Sequence, residues 1–466
     1  VGTTLFFVVV AGIVAMVGYR HLSSRYGSRE AADAWSKIAD EFGLDLQLPS
    51  MAAEWSMRGE VGGIPIEVKT ATRRVGKSRV RYTQVEAGGG RLGQGVVLCS
   101  EGVWQGLRKA FKGEDIQLRD PEFDNAVCVS GREVAAVAML NDMARRRVIG
   151  LVNLGAQVRE GSIAYEERGV MADQYRIHNL LKAMLSAAPP LQMEVTELPT
   201  KLAENGLRDP NEDVRVRNMS LLVRHYPGRG ETREACLKAL GDVSVRVRLV
   251  AASALPEEGF SIIKTIAEAE IEDSDVRADA IAAITEFGVE RARPTLAQTL
   301  RSRQETVRRA TISAIGKLRD EHFVESLCKL TKAGTEKTLV ALTKTFATLG
   351  DGRAEPALVG MLTDPSVEVK KAAAHALGSL GSVHSMQHLL PFTKGLLDES
   401  GLKSVAKIAL AKIQTRIGDS GDGRLSIVEH EVREGALSLV AESGQLGLVE
   451  ESAEVRQSEE EEEEAT

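Results

Sequence analysis

Cysteine is scarce in this 466-residue sequence, and its four copies, Cys99, Cys128, Cys236 and Cys328, stand far apart. They form no CxxC pair and no other metal-ligand spacing, which argues for reduced, partly buried thiols in a cytoplasmic chain rather than a disulfide framework. An excess of one charge sign is missing as well. Of the net −7, residues 450–466 supply nine Glu against one Arg; −7 less −8 leaves the rest at +1. A near-neutral body has no electrostatic footprint for general nucleic-acid binding, and none is expected. The glycine-rich residues 88–95 (GGGRLGQG) lack the Gly-Lys-Ser/Thr ending and strand–loop–helix setting of a phosphate loop, so a flexible hairpin loop is expected there.

Around the apolar start of the chain two further features are missing: no positive charge precedes it and no small-residue cleavage site follows it. Both are normal for an export signal. What is present is an uncharged stretch, residues 3–19, followed by Arg20, His21, Arg25 and Arg29. Helical residues at about 1.5 Å each just cross a bilayer core over such a length. The sequence therefore predicts a single transmembrane helix in the inner membrane, with the basic flank keeping the bulk of the chain cytoplasmic. An export signal and a buried helix are the alternatives. Val1, where a start Met is usual, leaves the true first residue open.

The strongest positive signal lies between Glu194 and Gly418, where the chain repeats every 31 residues. A Val-Arg step marks each copy: Val214-Arg215, Val245-Arg246, Val276-Arg277 and Val307-Arg308, then Val369-Lys370 after a degenerate Thr338-Leu339. Four positions past the basic residue stand Met219, Val250, Ile281, Ile312 and Ala374. Three further on come Leu222, Ile284, Ile315, Phe346 and Leu377, with Ser253 the exception. Two helical patterns per unit at this period predict an α-solenoid, whose units bury their apolar faces by stacking and leave a long concave surface. The segments DVSVRVRLVAASAL (residues 242–255) and DPSVEVKKAAAHALG (residues 364–378) resemble HEAT repeats, particularly the short bacterial kind also found in bilin lyases. Six units are legible and a seventh, over residues 383–417, is atypical, as a capping unit would be.

That resemblance implies fold more than function, because such arrays serve many systems. It leads us to expect a scaffold or adaptor holding a protein partner on its concave face, with a bilin-lyase-like enzyme or enzyme subunit as the alternative. HEAT-type di-iron hydroxylases need repeated His-Glu pairs, whereas these repeats hold only Glu321-His322, in reverse order. His375, alone on an apolar helix, reads as a packing residue. No constellation here argues for catalysis, a cofactor or a metal. The repeated basic residues, including Arg217, Arg248, Arg277, Arg309 and Lys371, have two readings. They either grip an acidic partner or pair with Asp213, Asp242, Asp275, Glu305 and Glu368 of neighbouring units.

Residues 28–190 alternate helical and strand patterns and predict a small α+β domain ending at Pro189-Pro190. Strands are expected near residues 55–59, 64–71, 80–86, 95–100 and 123–129, a hairpin over 156–167, and helices over 28–40, 103–111, 134–151 and 173–187. Asp120, Glu122 and Asp124 could form a metal cluster, but a turn with Pro121 is preferred. After Gly418 come three short words, GRLSIVE from Gly423, GALSLVAE from Gly435 and GQLGLVE from Gly444. Their Leu425, Leu437 and Leu446 are candidate linear-motif contacts that could add strands to a partner's sheet. Folding back onto the last repeat, or simple drift, is the other reading. An EF-hand reading of residues 418–429 starts on Gly where Asp is needed and has no paired hand. The poly-Glu end is expected to be disordered by self-repulsion. The fold class is thus mainly α: residues 1–27 a transmembrane anchor, 28–190 an α+β domain, 191–418 a solenoid of about seven repeats, and 419–466 a tail.

Overall fold

The computed structural model describes residues 29–48, 54–90, 92–93, 95–107, 115–270, 272–394 and 401–419. The chain divides into two compact units, Val1–Gly259 and Phe260–Thr466. Among the described residues no helix is long and apolar enough to cross a membrane. This corrects the expected fold class, which placed a transmembrane helix at the head of a mainly α chain. Residues 3–19 lie outside the described residues, as do the tail words with Leu425, Leu437 and Leu446. The two 18-residue helices each carry charges, such as Arg176 and Lys182 in one and Lys407, Lys412 and Arg416 in the other. Hydrocarbon does not accept such residues cheaply.

The first unit opens with helix α1 (residues 29–42), which buries Trp35 and Ile38. The Trp35 indole meets Trp55 edge-on, with centroids 5.3 Å apart, and donates to the Met171 carbonyl at 2.8 Å. An eight-stranded, antiparallel sheet follows: β1 (Asp45–Gln47), β2 (Ser56–Val61), β3 (Ile64–Val75), β4 (Ser78–Ala87), β5 (Val96–Cys99), β6 (Cys128–Gly131), β7 (Gln157–Arg159) and β8 (Ser162–Arg168). Their spatial order is β1-β2-β3-β4-β8-β7-β5-β6. The period of two puts Ile64, Ile66 and Val68 on the buried face of β3. Helices α2 (Glu101–Leu107), α3 (Pro121–Ala126), α4 (Glu133–Met139), α5 (Asp142–Asn153) and α6 (Gln174–Leu191) complete this part.

Three expectations change here. The strand expected over residues 123–129 is mostly α3, because Asp120 caps it and Pro121 opens it; only the following β6 is extended. The single helix expected over 134–151 is broken at Asn141, whose side chain accepts the Ala144 N–H and starts α5 afresh. The described residues 88–90 and 92–93 of the glycine-rich loop are pinned rather than flexible. Leu92 is fully buried, its N–H bonds the Gly161 carbonyl, and the Gly90 N–H bonds the Ser162 hydroxyl.

Seven helix pairs form the repeats. The first unit holds α7 (Leu198–Arg208) with α8 (Glu212–His225), and α9 (Gly230–Ala239) with α10 (Val245–Ser253). One continuous apolar core joins them to the sheet, running from Ala31 to Leu255. The remaining pairs are α11 (Gly259–Glu268) and α12 (Ser274–Ile284), α13 (Val289–Thr299) and α14 (Glu305–Leu318), and α15 (Val324–Leu330) and α16 (Glu336–Leu349). Last come α17 (Glu355–Met361) and α18 (Val367–Leu380), then α19 (Val383–Leu389) and α20 (Leu402–Asp419). In the second unit α12, α14, α16, α18 and α20 pack side by side in that order.

The repeat phase differs from the sequence reading at one place. The second helices of six pairs have N-caps at Asn211, Ser244, Asp273, Gln304, Thr335 and Ser366, spaced 33, 29, 31, 31 and 31 residues apart. The second of these helices thus starts two residues late, and the third restores the phase. Val247, fully buried, is therefore the equivalent of Val214, Val307 and Val369, and Arg248 that of Arg215. Eleven residues past Ser244 lies Leu255, only 2% exposed, in the column of Leu222, Ile284, Ile315, Phe346 and Leu377. The apparent exception at Ser253 disappears: Ser253 is an exposed residue bonding back to the Leu249 carbonyl at 2.8 Å. Leu255→Ala should therefore cost about 2–4 kcal/mol, whereas Ser253→Ala should stay within about 0.5 kcal/mol. Urea unfolding followed by tryptophan fluorescence checks both, since Trp35, Trp55 and Trp104 all lie in the first unit.

The last pair is fastened by a carboxylate. Glu355 accepts from the Ser382 N–H and hydroxyl, both at 2.8 Å, from the Ser385 N–H at 3.2 Å, and from the Ser385 hydroxyl. Burial would raise its pKa, but these donors outweigh burial and hold the carboxyl below its ordinary value. A depressed folded-state pKa contributes stability that is present above the unfolded value of about 4.3 and lost as pH falls through the folded one. Glu355→Gln should therefore cost the second unit stability at neutral pH, with the gap from the parent closing below about pH 4.3. Urea titrations monitored by far-UV dichroism at neutral and acid pH measure that gap.

Candidate functional site

The inward columns of the second helices fall eight and eleven positions past the N-cap, and in most also three, as Val307, Ile312 and Ile315 do after Gln304. Helical geometry then turns positions two, five, six, nine and thirteen away from the core. On α12, α14, α16 and α18 these outward columns line one groove of about 830 Å³. Its floor is small: Ala278, Ala310, Ser313, Gly316, Ala341 and Thr345. Gly316 lets α14 and α16 approach, since a Cβ there would stand 3.1 Å from the Thr345 hydroxyl, which itself bonds the Ile312 carbonyl at 3.0 Å. A floor of small residues admits an extended backbone or long side chains that a Leu-rich face would exclude.

The walls carry charge. Arg309, Lys317, Lys337 and Lys344 line the groove with Glu336 and Glu368. Two cations at its edge are spoken for: Lys317 pairs with Glu286 at 2.6 Å, and Lys371 with Glu368 at 2.9 Å. Lys337 and Lys344 are exposed and make no ion pair among the described residues. Arg309 is half-buried, and its Nε is shielded from solvent with no hydrogen-bond partner. Glu305, one turn earlier on α14, is engaged by the Thr335 and Thr338 hydroxyls. The Thr335 bond first, and Arg309 and Arg308 further down, hold that carboxyl below its usual range. Three cations without a matched anion thus converge over an uncluttered floor. The arrangement can bind carboxylates or another extended anion.

The basic residues singled out from sequence do not form one stripe. Arg217 pairs with Glu133 of α4 at 3.0 Å, inside the first unit. Arg248 turns back onto the carbonyls of Asp242 and Val243. The equivalent Arg215 and Arg308 bond carbonyls of the preceding turn in the same way, and Arg215 also forks onto Asp242 at 2.9 and 3.1 Å. Arg277 is 3% exposed and bonds the Ala267 carbonyl and the Gln304 side chain. Of the five candidate cations only Arg309 lines the groove. Lys337 and Lys344 were missed because they sit outside the Val-Arg marker, in columns recognisable only once the inward positions are assigned. His375, read as packing, is exposed.

Elsewhere the candidate chemistry is consumed structurally. Asp120 caps α3 and pairs with Arg145 at 2.6 Å, while Asp124 accepts the N–H groups of Leu118, Arg119 and Asp120. Burial pushes the Asp124 carboxyl up, partly offset by those donors. Cys99 and Cys128 face each other across β5 and β6, both free. Burial first, then the neighbouring thiol and Asp115, pushes Cys99 to about 11, and burial pushes Cys236 to about 11. Thiols so shifted are poor nucleophiles at neutral pH.

Residues 262–343 and 324–411 match the family model of HEAT repeats. Two solved structures are similar. One is the complex of CpcE and CpcF of phycocyanin lyase from Nostoc sp. PCC7120, at 19% identity over 41% of this chain and 89% of that one, with a TM-score of 0.29. The other is an engineered protein, at 20% identity over 47% of this chain and 90% of that one, with a TM-score of 0.26. The lyase activity named for the first belongs to that complex. No curated protein matches.

Proposed function

Because residues 262–343 and 324–411 are HEAT repeats, we propose that the protein is a scaffold whose groove on α14, α16 and α18 holds an extended, acidic segment of a protein partner. The observation that carries this reading is the convergence of Arg309, Lys337 and Lys344, none ion-paired among the described residues, above a floor of Ala, Ser, Gly and Thr. Stacked repeats bind extended ligands along such faces without needing a deep pocket. The unpaired charges are partly exposed, so each contributes only about 0.2–1 kcal/mol, and the affinity is expected to fall far short of nanomolar and to need several contacts made at once. A protein segment is favoured over nucleic acid because the body of the chain is near-neutral.

Fluorescence anisotropy of a labelled oligoglutamate peptide against the full chain tests the proposal. Binding should weaken several-fold between about 50 and 200 mM salt as the Debye length shortens, and an oligoglutamine peptide should not bind. Tighter binding of a nucleic acid than of oligoglutamate, or affinity indifferent to salt, would contradict it.

A further inference from the structure

Residues 450–466 of this same chain hold nine Glu and one Arg, the composition that the groove of the second unit is built to receive. We propose that this acidic segment occupies the groove around Lys337 and Lys344, so that an external partner must displace it. The inference rests on the reading of the groove as an acidic-peptide site. Three observations carry it. The first is charge complementarity between six consecutive glutamates of the sequence, Glu459 to Glu464, and cations that have no ion-pair partner among the described residues. The second is the floor of small residues, which accepts a chain with long side chains. The third is proximity. The segment follows α20, which packs on α18, as α18 does on α16 and α16 on α14. Three helix-to-helix steps of about 10 Å must be covered, whereas residues 420–459 span up to roughly 130 Å when extended.

Tethering makes the interaction count. A segment joined to its own site acts at an effective concentration of about 1 mM, so even a weak contact is mostly formed. A free acidic partner at micromolar concentration then competes at a disadvantage. Binding in the groove becomes conditional on a partner with higher charge density or on several contacts made at once.

The experiment compares the parent full chain with a full-length variant carrying Glu459→Gln through Glu464→Gln, titrating each with labelled oligoglutamate. The expected result is at least tenfold tighter peptide binding by the variant, as competition from a tether at about 1 mM requires. Adding Lys337→Glu and Lys344→Glu to that variant should remove the gain. Equal, measurable affinity in parent and variant would overturn the tail's role while leaving the groove reading intact. Absence of peptide binding from both would overturn the groove reading and the inference with it. A gain that persists with both lysines reversed would place the tail elsewhere and overturn the inference.

Discussion

Replacing Arg145 with Met should lower the stability of the first unit by about 3–5 kcal/mol. Arg145 lies on α5 with its side chain 2% exposed, and Asp209, at the end of α7, is 1% exposed. The guanidinium donates to Asp209 at 2.8 and 3.1 Å, to Asp120 at 2.6 Å and to the Leu140 carbonyl at 3.0 Å. Burial alone would pull its pKa down; the bonds and charge of Asp209, then of Asp120, outweigh burial and leave it above the ordinary value. Such a cluster costs much to desolvate and so stabilises no more than a well-packed apolar replacement would, but removing one partner strands a buried charge. The same junction holds Asn205, which donates to the Ala138 carbonyl at 2.9 Å, and Arg217 on Glu133. The loss should therefore appear in the tryptophan-monitored transition. The double change Arg145→Met with Asp209→Leu should cost less than the sum of the two singles. A loss below about 1 kcal/mol would mean that the packing of α4 against α7, not the ion network, joins the sheet to the repeats.

Reversing both groove lysines, Lys337→Glu with Lys344→Glu, should weaken oligoglutamate binding by about ten- to a hundredfold, or about 1.4–3 kcal/mol. Each reversal removes an attraction and adds a repulsion, so the effect per site exceeds that of neutralisation. An oligolysine peptide should now bind where it did not before. Neither lysine is buried or ion-paired among the described residues, so unfolding of the second unit should shift by no more than about 0.5 kcal/mol. Arg277→Ala makes the contrast. That side chain is buried and hydrogen-bonded, and its loss should cost stability without changing peptide affinity. If the lysine reversals instead unfold the unit and leave residual binding unchanged, the cations are structural and the groove is not the site.

Most of the repeat architecture could be read from the chain because stacking demands the same apolar columns in every unit. Val214, Val307 and Val369, and Leu222, Ile315 and Leu377, recur in phase. What periodicity alone could not resolve was a compensated shift. The late start at Ser244 leaves the mean spacing untouched, and a second Val-Arg step two residues further on, Val247-Arg248, is the one that packs. Short-range capping was likewise decisive where apolar pattern misled, with Asp120 and Asn141 starting helices inside stretches read as a strand and as one long helix. The groove was illegible for a different reason. A marker that recurs in every repeat reports what every repeat needs, and Arg215, Arg248 and Arg308 fasten their own turns. A binding face belongs to the columns that vary between units: the column of Lys344 elsewhere holds Ser220, Ser253, Ala282, Ser313 and His375.

The measurement that bears most directly on the central claim is carbodiimide crosslinking of an oligoglutamate peptide to the full chain, with the modified lysines mapped by mass spectrometry. Lys337 and Lys344 should carry most of the crosslinks and lose them at high salt. Crosslinks spread over exposed lysines that do not line the groove, such as Lys329 and Lys332, at yields that merely follow exposure would contradict that claim.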